Sequence, residues 1–192
     1  MLMLMKEFVL RVEEVVAVTM LGSGFPLEKM LSESERSTYE PERFPGLVVR
    51  QAGMPGVAAL IFSSGKVVCT GAKSPESAKE AMKKVLCKMA DKGISIPREP
   101  DIGIDNIVAS TKLKSELDLK DISEKLEGAE YDASPTPMLV YKMKEPKFTF
   151  ILFPSGKILC TGAKSLDDVQ KGLLRLKDSL EKAGVKVVPA KE

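Results

Sequence analysis

The feature that most constrains this chain is an internal repeat. The thirteen residues FSSGKVVCTGAKS, 62 to 74, return as FPSGKILCTGAKS, 153 to 165, with ten positions identical at an offset of 91. Upstream, Tyr39 answers Tyr131, PGLVVR ending at Arg50 answers PMLVYK ending at Lys142, and EEVVAVT, 13 to 19, answers DNIVAST, 105 to 111, at an offset of 92. The first copy therefore carries one extra residue, placed in the turn from Gly53 to Gly56 against Glu145 and Pro146 in the second. Self-similarity at a fixed period predicts one structural unit built twice. The two repeats are expected at 1–97 and 98–192, meeting near Arg98 to Asp101.

Composition removes many chemistries. With no His, a Ser/His/Asp or Cys/His relay, a His-ligated zinc and a histidine pH switch are all excluded. Lys plus Arg at 29 against Asp plus Glu at 27 leaves +2, too balanced for binding through bulk charge alone, though not for a local basic face. Three cysteines, Cys69, Cys87 and Cys160, form no C-x-x-C pair and imply reduced thiols in an intracellular compartment. The opening MLMLM is cut short by Lys6 and Glu7, unlike a signal peptide, and no apolar run approaches the roughly 18 to 20 residues of a membrane span. A soluble, cytoplasmic protein is expected. A phosphate loop is rejected because five residues, not four, separate Gly65 from Gly71, and Ala72 interrupts the Gly-Lys pair. No cofactor or metal is implied, and the chain is not expected to be an enzyme.

Within each copy the periods read alike. An extended segment, about 12 to 20 and 103 to 112, leads into a short helix, about 26 to 34 and 118 to 127, where Leu119, Ile122 and Leu126 share a face. Strands follow at about 46 to 52, 57 to 63 and 66 to 72, joined by Pro and Gly turns. A longer helix follows each TGAK, about 75 to 92 and 166 to 183. Ser74 with Pro75, and Ser165 with Asp168, signal their starts, and Gly93 and Gly184 their ends. The class is α+β, with too few helices to cover both faces of an antiparallel sheet. Because side chains alternate along a strand, Val67 and Cys69 face one way, and Val68 and Thr70 the other. Helices over the cysteines would leave Val68, Thr70, Leu159 and Thr161 as an uncovered apolar surface, the mark of a ligand site.

The doubled hairpin ending in CTGAK, together with YEPERFPGLVVR, 39 to 50, and IDNIVAST, 104 to 111, resembles the TATA-box-binding protein family over nearly the whole chain. Near-neutral charge and the short N-terminal stretch resemble its archaeal members. The resemblance implies a pseudo-twofold saddle: a curved ten-stranded antiparallel sheet, four helices on the convex face, and a concave underside on the DNA minor groove. That family is the standard example of minor-groove binding by apolar wedges that kink the duplex. Carried across residue by residue, the wedges are Phe44, Phe62 and Phe153. Val16, Val68, Val108 and Leu159 contact the groove floor, Thr70 and Thr161 donate to base acceptors, and Asn106 lies near the pseudo-dyad. Arg50, Lys66, Lys142 and Lys157 fall where the family meets phosphates. Cys69 and Cys160 read as core.

The sequence departs from the family in three places. Thr136 stands where a fourth wedge belongs, five residues past Tyr131 as Phe44 is past Tyr39, and Glu14 stands where the partner of Asn106 belongs. The halves also look exchanged, since YEPERFPG resembles the family's second half and IDNIVAST its first. The acidic segment with Glu40 and Glu42, which in the family meets transcription factor B, then lies in the first half. The function implied is a general transcription initiation factor that binds and bends A·T-rich promoter DNA and recruits transcription factor B and, indirectly, RNA polymerase. The alternative is a divergent paralogue that binds DNA weakly and regulates through protein contacts. A homodimer of the DNA-free protein is left open.

Overall fold

A computed structural model of the 192-residue chain describes residues 2–5, 7–22, 24–30 and 37–191. The chain folds as two compact units, one of residues 14–105, the other of residues 106–192 together with 1–13.

In the 14–105 unit the strands are β2 (Phe8–Met20, of which 14–20 lie here), β3 (Ser37–Thr38), β4 (Gly46–Arg50), β5 (Ala58–Phe62) and β6 (Lys66–Ala72), ordered β3-β4-β5-β6-β2. The second unit repeats this with β7 (Gly103–Lys112), β8 (Ala129–Asp132), β9 (Met138–Met143), β10 (Phe148–Leu152) and β11 (Lys157–Ala163), ordered β8-β9-β10-β11-β7. Every pairing with a recorded register is antiparallel. The strand order of the two repeats is therefore the same, and the class is α+β as expected. An eleventh strand was not foreseen: β1 (Leu2–Met5) pairs with the start of β2, which begins four residues earlier than its alternation suggested.

Each repeat closes with a helix whose start is written in the sequence. Pro75 opens α1 (Pro75–Asp91), and Ser74 caps it by accepting from Ser77 N at 3.1 Å while Ser77 Oγ accepts from Ser74 N at 3.1 Å. Ser165 caps α3 (Leu166–Lys182) by accepting from Asp168 N at 3.1 Å. Gly93 and Gly184 follow the helices in the left-handed region, at φ +81° and +82°, where a side chain is strained. Ala78, Ala81, Met82, Val85, Leu86 and Met89 of α1 are buried against the face of the sheet that carries Val67 and Cys69. The thiol of Cys69 donates to Met82 Sδ at 3.9 Å, so the helix lies over the cysteine face. Cys160 is buried in the same place in the second repeat.

The expected pair of short helices is realised unequally, and the four expected helices become three α-helices and one 3₁₀ turn among the described residues. In the second repeat α2 (Leu119–Lys125) is an α-helix, with Asp118 accepting from Asp121 N at 3.0 Å. In the first, the described part of the expected helix 26–34 is a 3₁₀ turn, Leu27–Met30, and residues 31–34 of that expectation lie outside the described residues. The capping position of Asp118 is held here by Pro26, which has no acceptor side chain to hold an α-helical first turn. In a 3₁₀ turn i and i+3 eclipse, so Leu27 and Met30 both reach the core, at 2% and 4% exposure.

Candidate nucleic-acid interface

The face of the sheet opposite the helices carries the same pattern twice. In the 14–105 unit Val18, Val68, Leu60 and Val48 stand side by side on four strands, all half-buried, with Thr38 beyond them. In the 106–192 unit the matching row is Ser110, Leu159, Ile151 and Val140, ending at Glu130. A second row reads Thr70, Ala58, Arg50 in the first repeat and Thr161, Thr149, Lys142 in the second. This second row thus runs from a threonine on β6 or β11 out to an exposed cation. Val16 and Val108 are half-buried on the same alternation. Lys66 and Lys157 are exposed at the first residue of β6 and of β11, and Lys157 stands opposite a second lysine, Lys112, where Lys66 stands opposite Met20.

The phenylalanines expected as wedges differ between the repeats. Phe44, 36% exposed, meets Phe62 edge to face with ring centroids 5.6 Å apart. Both rings lie over Gly46, where an added Cβ would come 2.7 Å from Phe44 Cε1 and 3.0 Å from Phe62 Cε1. Phe153 is half-buried at the tip of its hairpin, and among the described residues no ring stands beside it. The offset of 92 puts Thr136 at the place of Phe44 and Met138 at the place of Gly46. Gly46 and Met138 lie in the matched segments PGLVVR and PMLVYK, but their difference in size went unread. The signal was the offset itself, which pairs a residue with no side chain against a large one.

The hydroxyls are engaged by different partners. In the second repeat Asn106 is pinned by Gly162 N, which donates to its Oδ1 at 2.8 Å, and its Nδ2 donates to Thr161 Oγ1 at 3.0 Å. Thr161 Oγ1 in turn donates to Asn106 Oδ1 at 3.2 Å. In the first repeat the side chain in Asn106's place is Glu14, and Thr70 Oγ1 donates to its Oε1. A carboxylate can only accept, so the proton of Thr70 is committed to it. Next to it in sequence, but in the other unit, Glu13 accepts from Ser110 Oγ at 2.6 Å and stands 3.8 Å from Arg11 Nε. Glu13 and Glu14 are both half-buried between the buried Val12 and Val15. The acidic segment is exposed: Glu40 accepts from Arg43 Nη1 at 3.1 Å, and Glu42 lies in the same turn.

These features define a class: a duplicated α+β protein whose sheet face opposite the helices is rimmed by cations and carries hydroxyls in each repeat. A family described as "Transcription factor TFIID (or TATA-binding protein, TBP)" matches residues 9–91 and 101–183. The TATA-box-binding protein of Methanocaldococcus jannaschii is 42% identical over 172 residues, covering 90% of this chain and 93% of that protein. That of Archaeoglobus fulgidus is 40% identical over 183 residues, covering 94% of this chain and 100% of that protein. A solved structure named Methanococcus jannaschii TBP superposes with a TM-score of 0.79 at 42% identity, covering 90% of this chain and 98% of that one. The chain belongs to the TATA-binding protein family, and is a transcription factor of that type rather than an enzyme.

Proposed function

We propose that the protein binds and bends A·T-rich promoter DNA through the minor groove and thereby recruits transcription factor B and RNA polymerase. The observation that carries this is the recurrence, in both repeats, of an uncovered row of aliphatics beside a threonine row that ends in Arg50 or Lys142. A minor groove shows A·T pairs as acceptors over an apolar floor, which aliphatic side chains and a few donors match without large charge. Phe44, Phe62 and Phe153 are placed at strand ends, as wedges that open base steps would be. Arg50, Lys66, Lys142 and Lys157 would sit on phosphates. Glu40 and Glu42, exposed in one turn, would meet transcription factor B.

A band-shift on an A·T-rich duplex tests the reading, with and without transcription factor B. The protein alone should retard the duplex, and log K should fall with log salt at a slope of about −3.6, from roughly −0.9 per neutralised phosphate. Lys157→Ala should make the slope shallower by about 0.9. Glu14 favours the second reading, a paralogue acting through protein contacts, because it aims a carboxylate where the groove offers acceptors. Retention only in the presence of transcription factor B would establish that alternative.

A further inference from the structure

We infer that Glu14 turns the base contact of the first repeat from a donor into an acceptor, so that this half of the protein selects a G·C pair at the step it faces. The inference rests on the minor-groove reading above. It starts from two side chains at one repeat position that differ in what they can give: Asn106 both donates to and accepts from its threonine, whereas Glu14 only accepts. Asn106 gives a proton to Thr161 at 3.0 Å while Gly162 N fixes its oxygen at 2.8 Å. Thr161 returns its hydroxyl proton to Asn106 Oδ1 at 3.2 Å, an oxygen that Gly162 N already occupies at the shorter distance, and the amide keeps a second N–H, so the second repeat still has a donor to present. Glu14 takes the proton of Thr70. What remains at that site is the other acceptor sites of a carboxylate, which offers about four in all, and the lone pairs of the hydroxyl. The first repeat therefore presents acceptors.

The minor groove distinguishes the two. A·T and T·A pairs show only acceptors there, and the one donor available in that groove is the N2 amine of guanine. Against A·T an acceptor site leaves two sets of lone pairs facing each other with water excluded, whereas against G·C it gains a charge-assisted hydrogen bond. The half-buried setting of Glu14 and Thr70 makes this difference count.

Binding of the full-length protein is measured to a duplex of A·T pairs, and to duplexes with each pair in turn replaced by G·C or by inosine·C, which lacks only the N2 amine. The wild type should bind one G·C duplex about tenfold more tightly than its inosine partner, the scale of a single base-pair discrimination. Glu14→Asn should abolish that preference, Glu14→Gln should reduce it, and Asn106→Glu should create a second preferred G·C position. Equal affinity for G·C and inosine·C at every position overturns the inference, as does a preference that survives both Glu14 substitutions. The wild-type comparison stands even where a variant fails to fold. If no duplex in the panel is bound, the minor-groove reading itself falls and takes the inference with it.

Discussion

Phe44 and Phe62 meet edge to face, 5.6 Å between centroids and 65° between planes, over a glycine that leaves room for both rings. Such a pair is worth about 0.5–1.5 kcal/mol beyond its area, enough to hold two partly exposed rings in a fixed arrangement. Gly46→Ala puts a methyl group into both ring edges. The expected result is a folded protein, destabilised by about 1 kcal/mol or less because the rings can swing outward, with a reduced DNA bend. Circular dichroism melts and fluorescence energy transfer on end-labelled duplexes read the two quantities separately.

The second repeat has neither the ring nor the gap. Thr136 lacks the reach of a wedge, and Met138 fills the place of Gly46, so the kinks should be unequal, sharper at the Phe44/Phe62 end. Unstacking a base step costs a few kcal/mol, which a lone Phe153 repays less fully. Phe62→Ala should straighten DNA more than Phe153→Ala. Thr136→Phe should increase bending, and more so when joined to Met138→Gly. Bend angles decide the matter: if Phe153→Ala straightens the duplex at least as much as Phe62→Ala, the asymmetry is absent.

On a duplex of A·T pairs only, Glu14→Asn should tighten binding by about 1–3 kcal/mol, the scale of a mispaired buried polar group. Titration by fluorescence anisotropy checks this, and identical dissociation constants would show that Glu14 does not meet the DNA.

Burial pushes the Cys69 and Cys160 thiols up to about 12, while Cys87 lies exposed on α1. Since the thiolate is the reactive form, iodoacetamide at pH 8 should label Cys87 alone in the native protein and all three cysteines in denaturant, as mass spectrometry would show. The raised values also carry a sign for stability. The unfolded chain loses these protons first, near pH 9, so the stabilisation is complete below that pH and is lost as pH rises toward 12. Each thiol contributes about 1.4 kcal/mol per pH unit within that window. Urea midpoints for Cys69→Ala should fall less steeply between pH 9 and 10.5 than those of the wild type.

The fold was largely legible because the chain says everything twice. The caps at Ser74 and Ser165, the hairpins and the buried cysteine face follow from residues that recur at one offset. What escaped the reading lay where the copies differ or where local pattern is silent. Leu27 and Met30 fit a 3₁₀ turn and an α-helix equally by spacing, and only the missing cap at Pro26 separates them. The run Leu2–Met5 shows no polar alternation, so it gave no strand signal, yet it pairs with β2. At the site the residue types were readable, but their hydrogen bonds were not. That Thr70 gives its proton to Glu14 while Asn106 gives one to Thr161 depends on rotamers that no spacing encodes.

The succession β5, β6, α1 in one repeat and β10, β11, α3 in the other has a kinetic consequence. Each is an uninterrupted stretch of chain with its own turn, its own cap and mostly short-range contacts, so each can form early at small loop-closure cost. Strand β2 joins β6 only by closing the long loop between Val18 and Val68, and β7 joins β11 across a similar gap between Ser110 and Leu159. Strands β2 and β7 are therefore expected to dock last. Substitutions at Ile61 or Leu173 should slow folding, whereas those at Val15 or Ile107 should mainly speed unfolding in stopped-flow chevrons. In each repeat the row on the face opposite the helices is completed only when that strand arrives, so Val18 and Ser110 join it in the final step of assembly.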